Sequence, residues 1–147
     1  MATPFINQGS LNRVRVSIIV PQYPYLNIPS NYMGKNFASV NFEGNFDEMI
    51  ETATGAVTSP EPYVMATVTC DLLRSQSLAA AWLAQAQLIS DLGPLVVYSD
   101  SSTFGPITLD TAVLRQCEPG VFDGMNVVVR LTIRGVMYAN LNLWAGI

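Results

Sequence analysis

Five of the eleven acidic residues in this 147-residue chain, Glu43, Asp47, Glu48, Glu51 and Glu61, fall within residues 42–63, which hold no Lys or Arg. Carboxylates so close together can in principle work as an acid/base pair or hold a calcium ion, with Asp47 and either Glu48 or Glu51 as the pair to consider. The rest of the chain offers neither chemistry its usual frame. It contains no His, which removes Ser-His-Asp and Cys-His arrangements and imidazole metal sites. G-x-S-x-G, the P-loop and G-x-G-x-x-G do not occur. A carboxylate cluster in that setting reads as a solvated or interfacial face. No catalytic, cofactor-binding or metal-binding residue is assigned, and the chain is expected not to be an enzyme.

Other chemistry-bearing residues point the same way. Cys70 and Cys117 are too few for a disulfide framework and lack C-x-x-C spacing. Cys70 alternates with Val64, Ala66 and Val68 and reads as core. Tyr23, Tyr25 and Tyr32 lie among prolines and read as loop packing, and Trp82 as core. The net charge of -4, with seven basic residues, argues against a nucleic-acid binder, because phosphate binding by counterion release needs Lys and Arg in quantity.

Composition then narrows the class. Hydrophobic residues make up 50% of the chain and charged residues only 12%, against roughly 25% charged in a typical soluble domain. Much of this surface is therefore expected to be covered, as in an assembly subunit. A bilayer is not the expected cover: the helical candidate closest to the required length, residues 75–90, is charge-free but interrupted by Gln76, Gln85 and Gln87 and falls short of the roughly 20 apolar residues of a spanning helix. The opening "MATPFINQGSLN" lacks the basic start and apolar run of a signal peptide, so folding in a cytoplasm is the expectation.

The elements that must position these residues are mostly strands. Val14, Val16, Ile18 and Val20 alternate with Arg13, Arg15 and Ser17. "KNFASVNFEG" alternates again, and "NFDEMIET" continues with Asp47, Met49 and Glu51 opposite Phe46, Glu48 and Ile50. Residues 21–33, broken by three prolines, read as a loop or irregular edge, and residues 52–62 as a long loop. "YVMATVTCDLL" is a strand with Val64, Ala66, Val68, Cys70 and Leu72 inward. A helix follows over about 75–92, capped by Ser75 or Ser77 and ended by Gly93-Pro94. Its inward stripe is Leu78, Trp82, Gln85, Ile89 and Leu92, with Ala81 and Leu88 flanking. The opposite side carries Ala80, Ala84, Gln87 and Asp91, mostly small residues where a solvated helix places Lys and Glu. "LVVYSD", a hairpin turn at "DSST" and "ITLDTAVLRQ" come next. The last strand, "VVVRLTIRGVMY", sets Val127, Val129, Leu131 and Ile133 inward and Arg130, Thr132 and Arg134 outward. The terminal arms are residues 1–10 and 139–147, the second ending in Trp144 and Ile147, expected to dock. The sum is one mainly β domain of seven or eight antiparallel strands, a barrel or sandwich with one flanking helix.

The order of elements, with "ETATGAVTSPEPYVMATVTCDLLRSQSLAAAWLAQ" running through a strand into a helix and then "GPLVVYSD" and "FGPITLDTAVL", resembles tail tube proteins of contractile-tailed bacteriophages. Those are similar in fold to the tube subunits of R-type pyocins and type VI secretion systems. The resemblance spans nearly the whole chain and implies hexameric rings stacked into a hollow inner tube of the virion tail, inside a contractile sheath, assembled in the host bacterial cytoplasm. It implies as partners further copies of the chain, the sheath, tape measure, baseplate and tail terminator proteins, and genomic DNA passing through the lumen without specific binding. A tail terminator or baseplate ring protein of similar fold, and a soluble ligand-binding barrel, are the alternatives. Under this resemblance Glu43, Asp47, Glu48 and Glu51 are expected to face the lumen or a neighbouring subunit, Arg13, Arg15, Arg130 and Arg134 to meet acids of an adjacent copy, and Ala80, Ala84 and Gln87 to be covered in the assembled tail. No cofactor is implied.

Overall fold

The computed structural model describes residues 4–9, 14–100 and 105–143. Arg13, most of the "DSST" turn, Trp144 and Ile147 lie outside the described residues. Among those described, the strands are β1 (Val16–Ile19), β2 (Met33–Glu43), β3 (Asp47–Glu51), β4 (Ala56–Pro60), β5 (Tyr63–Leu73), β6 (Asp91–Ser99), β7 (Ile107–Glu118) and β8 (Val128–Tyr138), with one helix, α1 (Ser77–Leu88). Six strands make one antiparallel sheet in the order β1-β6-β7-β8-β5-β2, while β3 and β4 pair only with each other. The expectation of a mainly β antiparallel fold with one flanking helix holds, and the sheet is a curled half-barrel.

Alternation builds the sheet's inner face. Along β5, Val64, Ala66, Val68, Cys70 and Leu72 are all buried, and they stand opposite inward residues of β8, with Val68 facing Ile133 and Cys70 facing Leu131. The half-barrel does not close, because its edge strands β1 and β2 do not pair with each other. Its open side is filled by the proline-broken segment and by α1. Pro24–Leu26 and Ser30–Tyr32 form two short 3-10 turns that place Leu26 and Ile28 fully inside. Ile28 exchanges two backbone hydrogen bonds with Ile18, 2.9 and 2.8 Å long. Trp82, also fully buried, is the largest side chain of the core. Gln85 is buried beside it and is satisfied: its Oε1 accepts from the Tyr25 hydroxyl at 2.5 Å and its Nε2 donates to the Ile89 carbonyl at 3.0 Å.

Curling a sheet this tightly brings the inner side chains of neighbouring strands together, so the inner face needs small residues at the bend. Gly93 of β6, Ala112 of β7, Gly135 of β8 and Ala66 of β5 supply them in one continuous cross-strand row. A Cβ placed on Gly135 would lie 2.8 Å from Leu109 Cδ1 and 3.0 Å from the Thr111 carbonyl oxygen. Gly93 adopts φ 69°, and a Cβ there would lie 2.7 Å from the Gln22 side chain.

Three sequence expectations are corrected. The helix does not run over 75–92: it ends at Leu88, and Ile89 is already extended. Residues 91–99 instead join the sheet as β6, because Leu92 and Leu95 are buried there as strand residues, and Gly93 is a bulge in that strand rather than a helix stop. Its start also differs, since Gln76 occupies the cap position and makes no side-chain cap bond. Ile89 and Leu88 are thereby left exposed instead of joining the inward stripe. Residues 52–62 are not one long loop, because residues 56–60 form β4 and only 52–55 turn. Val127 precedes β8 and is exposed.

The small-residue row generates a stability prediction. Gly135→Val should destabilise the domain by about 1–3 kcal/mol through overpacking against Leu109 and the β7 backbone, read as a lower midpoint in urea unfolding. A midpoint equal to that of the unaltered protein would mean that the curl does not depend on this position.

Candidate functional site: the assembly surfaces

The acidic stretch forms a ribbon. β3 and β4 pair in the register Asp47 with Pro60, Glu48 with Ser59, Met49 with Thr58, Ile50 with Val57 and Glu51 with Ala56. Directly opposed residues share a face, so Asp47, Met49 and Glu51 lie on one side of the ribbon and Glu48, Ile50 and Val57 on the other. The Asp47 and Glu48 side chains therefore point apart and cannot grip one ion, and among the described residues no group of three or more His, Cys, Asp or Glu could hold a metal. Every residue of β3 is exposed. Met49 at 69%, Ile50 at 54% and Val57 at 55% are far more open to water than apolar strand residues in a finished core. The base is tied down by Asn140, at φ 50°, whose side-chain amide donates to the Phe46 and Glu61 carbonyls at 2.9 and 2.7 Å. Phe42 and Phe46 meet edge to face at 5.7 Å.

Glu43 stands apart from the ribbon acids. It ends β2 on the outer face of the sheet, where its Oε1 accepts from Thr67 Oγ1 at 2.5 Å and its Oε2 from Arg134 Nη2 at 2.8 Å. The hydroxyl of Thr67, and then the Arg134 guanidinium, hold its carboxyl below the usual glutamate range. Arg130 and Arg15, the other described arginines of the predicted set, are also engaged within the chain. Arg130 pairs with the buried Asp71 at 3.2 Å. Arg15, just before β1, donates from Nε and from its backbone N–H to Asp100 at 3.0 and 2.7 Å, and these bonds keep the Asp100 carboxyl low. Around the ion pairs of β8 the outer face carries the small polar residues Ser39, Asn41, Thr67, Thr69 and Thr132, with Glu118 opposite Arg130 and the charge of Arg115 reaching Glu43.

The third surface is the outer side of α1. Ala80, Ala84 and Gln87 are all exposed, and so are Leu83 and Leu88. Beside Ala80 and Leu83 a groove of about 220 Å³ opens toward Arg74, Cys117, Pro119 and Phe122. Arg74 shapes it: Nη1 donates to the Val121 carbonyl at 2.6 Å, Nη2 donates to the Pro119 carbonyl, and the guanidinium lies 5.1 Å from the Phe122 ring centre. Asp123 closes the same loop by accepting backbone N–H bonds from Met125 and Asn126 at 2.9 and 2.7 Å, which lowers its pKa. Cys117 is half-buried on the groove wall, and burial raises its thiol pKa. Cys70 is sealed in the core and pushed up to about 12. Both cysteines are free.

Sequence reasoning missed this groove and the apolar pair Ile50–Val57. One signal was present: Val121, Phe122 and Met125 are large apolar residues in a glycine-containing loop, with no periodicity to assign them to a core. The partnership of Arg74 with that loop, 45 residues away, leaves no mark in the sequence.

No protein-family model matches the chain, and no curated protein matches it. Among solved structures, the fold is similar to the tube terminating cap of the anti-feeding prophage, determined by cryo-electron microscopy, with a TM-score of 0.54 at 13% identity. The likeness covers 93% of this chain and 97% of that one.

Two predictions arise from these surfaces. Because Glu43 has a lowered pKa in the folded protein, its contribution to stability is present above the usual glutamate value of 4.5 and is lost as pH falls through the lower folded value. Glu43→Gln should therefore flatten the acid limb of stability against pH between 4.5 and the lower folded value and leave the neutral limb's slope unchanged. An unaltered acid limb in denaturant titrations would show that the pairs with Thr67 and Arg134 carry no linkage. On α1, Ala80→Glu with Ala84→Glu should leave the unfolding midpoint within about 0.5 kcal/mol, as for exposed positions, while reducing particle assembly in a complementation assay. Full assembly by that variant would remove this face from the interface.

Proposed function

We propose that this chain is a ring-forming structural protein of a contractile-tail particle, seated at the end of its tube. The observation that carries this reading is the extent of the likeness to a tube terminating cap, which runs through nearly all of both chains. The surface chemistry supports it. A chain with 12% charged residues spends much of that charge on intrachain pairs, leaving apolar side chains exposed on the ribbon, on α1 and around Phe122. An isolated two-stranded ribbon is marginal in water, and apolar exposure of this kind suits a subunit completed by its neighbours. The role is non-catalytic and needs no cofactor. The chain works in the virion tail, after assembly in the host bacterial cytoplasm, among tube, sheath, tape measure and baseplate proteins.

A second reading, the tube subunit itself, is favoured by one feature: the projecting ribbon, which suits a subunit that must reach the next ring as well as its neighbours. In that arrangement six copies close into a ring by heterologous contacts and rings stack without limit. On either reading the acids turned toward a lumen repel DNA and keep the passage free of tight binding. Glu43 and the polar outer sheet face around it are the candidates for that wall, and Asp47, Glu48 and Glu51 for contacts between copies.

Size-exclusion chromatography followed by negative-stain microscopy of the pure protein separates the readings. A cap gives single closed rings, a tube subunit gives rings and long tubes, and monomers persisting at high concentration would overturn both.

A further inference from the structure

The loop between β7 and β8 contains the one place in the chain where an aspartate or asparagine directly precedes glycine, Asp123-Gly124. That order has a chemical consequence. A backbone nitrogen can attack the carboxyl carbon of the aspartate before it, and the ring closes most readily when the attacking residue has no side chain to crowd the approach. The other described aspartates lack this freedom. Asp47, Asp71, Asp91 and Asp110 precede Glu48, Leu72, Leu92 and Thr111 and belong to strands, and Asp100 is tied to Arg15 through both carboxylate oxygens. At Asp123 the fold leaves the reaction open. Asp123 and Gly124 are both exposed. Asp123 Oδ1 accepts from the Met125 and Asn126 N–H groups at 2.9 and 2.7 Å, a turn that folds the carboxyl over the peptide unit that follows it. Among the described residues no hydrogen bond takes up the Gly124 N–H, and a Cβ placed on Gly124 would meet nothing within 4 Å, so no neighbour fills the space that the ring needs. The two bonds to Oδ1 also lower the Asp123 pKa. An ionised carboxylate is the less reactive form, so they slow the conversion at neutral pH without barring it.

We propose that Asp123-Gly124 is a site of spontaneous self-modification, at which the folded protein converts aspartate to isoaspartate. The Gly124 nitrogen bonds to Asp123 Cγ and gives up its proton, one carboxyl oxygen leaves as water, and a cyclic succinimide results. Water then reopens the ring. Addition at Cγ restores aspartate, whereas addition at the former backbone carbonyl carbon leaves the chain running through Cβ, with the carboxylate on Cα. The isomer's backbone is longer by one methylene, so the two N–H bonds that close the turn are lost. The change reaches one of the exposed apolar surfaces, because Arg74 holds this loop through the Val121 and Pro119 carbonyls and lies over the Phe122 ring. The chemistry requires only water and stands independently of the reading of the chain as a tail protein.

Peptide mapping of the aged protein tests this. The folded protein is held in mildly acidic buffer at physiological temperature, sampled over weeks, digested and analysed by mass spectrometry with electron-transfer fragmentation. The peptide carrying residue 123 is expected to split into two species of equal mass, one of them resistant to the endoprotease that cuts before aspartate, with a minor form lighter by one water. Peptides carrying the other described aspartates are expected to stay single. Gly124→Val, at a position where a Cβ has room, is expected to abolish the product by crowding the attacking nitrogen. Asp123→Asn is expected to give the same isoaspartate faster, with release of ammonia, because the amide is not ionised. A single species at Asp123 in the folded protein, with conversion only in urea, would show that the turn protects the residue and would overturn the proposal. Isoaspartate forming at an unaltered rate in Gly124→Val would overturn the route through the glycine nitrogen.

Discussion

The curl of the six-stranded sheet is the constraint from which the other features follow. A flat sheet of this composition has one apolar face too wide for a single twelve-residue helix to cover. Bending it around Trp82 lets one helix and one short irregular segment complete the core. The bend is sterically possible because four neighbouring strands each place a glycine or alanine at the same level. Without that row, Leu109 and its neighbours have no room to cross the inner face, and the sheet must open.

Curling also decides where the few charges go. The outer face of β5 and β8 remains in contact with water and takes polar residues, and there Asp71 meets Arg130 and Glu43 meets Arg134 across adjacent strands. Such pairs contribute little to stability at a half-exposed surface. They do neutralise the face, so most of the net charge of -4 is left to the ribbon and the loops. The apolar residues that found no place inside are displaced to the two ends of the long strands, and this distribution gives the molecule distinct surfaces for neighbours.

A reading as a ring-forming tail protein fits this distribution better than a ligand-binding barrel does. The core is filled by Trp82, Leu26, Ile28, Leu92 and Leu95, each fully buried, and the depressions lined by described residues are open surface grooves. The likeness to a tube terminating cap shows a shared fold.

Much of the fold was legible in the chain because period-two alternation is a local signal. Inward and outward residues of β5 and β8, the existence of α1, the opposition of Asp47 and Glu51 to Glu48, and the burial of Cys70 follow from spacing alone. Low charge raised the expectation of an assembly, since composition reports the sum of the surface. Where local signals competed, the tertiary structure decided. Gly93-Pro94 reads as a helix stop, yet Leu92 and Leu95 bury more completely as strand residues, so the helix yields its last turn to β6. Residues 56–60 carry too little hydrophobic pattern to announce a strand, and they become one because β3 offers them a hydrogen-bonding partner. The pairings of Arg130 with Asp71, of Arg134 with Glu43 and of Arg74 with the Phe122 loop join residues 45 to 91 positions apart. Alternation shows which way such a side chain points, but its partner is set by which strands become neighbours, and that order depends on how the whole sheet curls around its core.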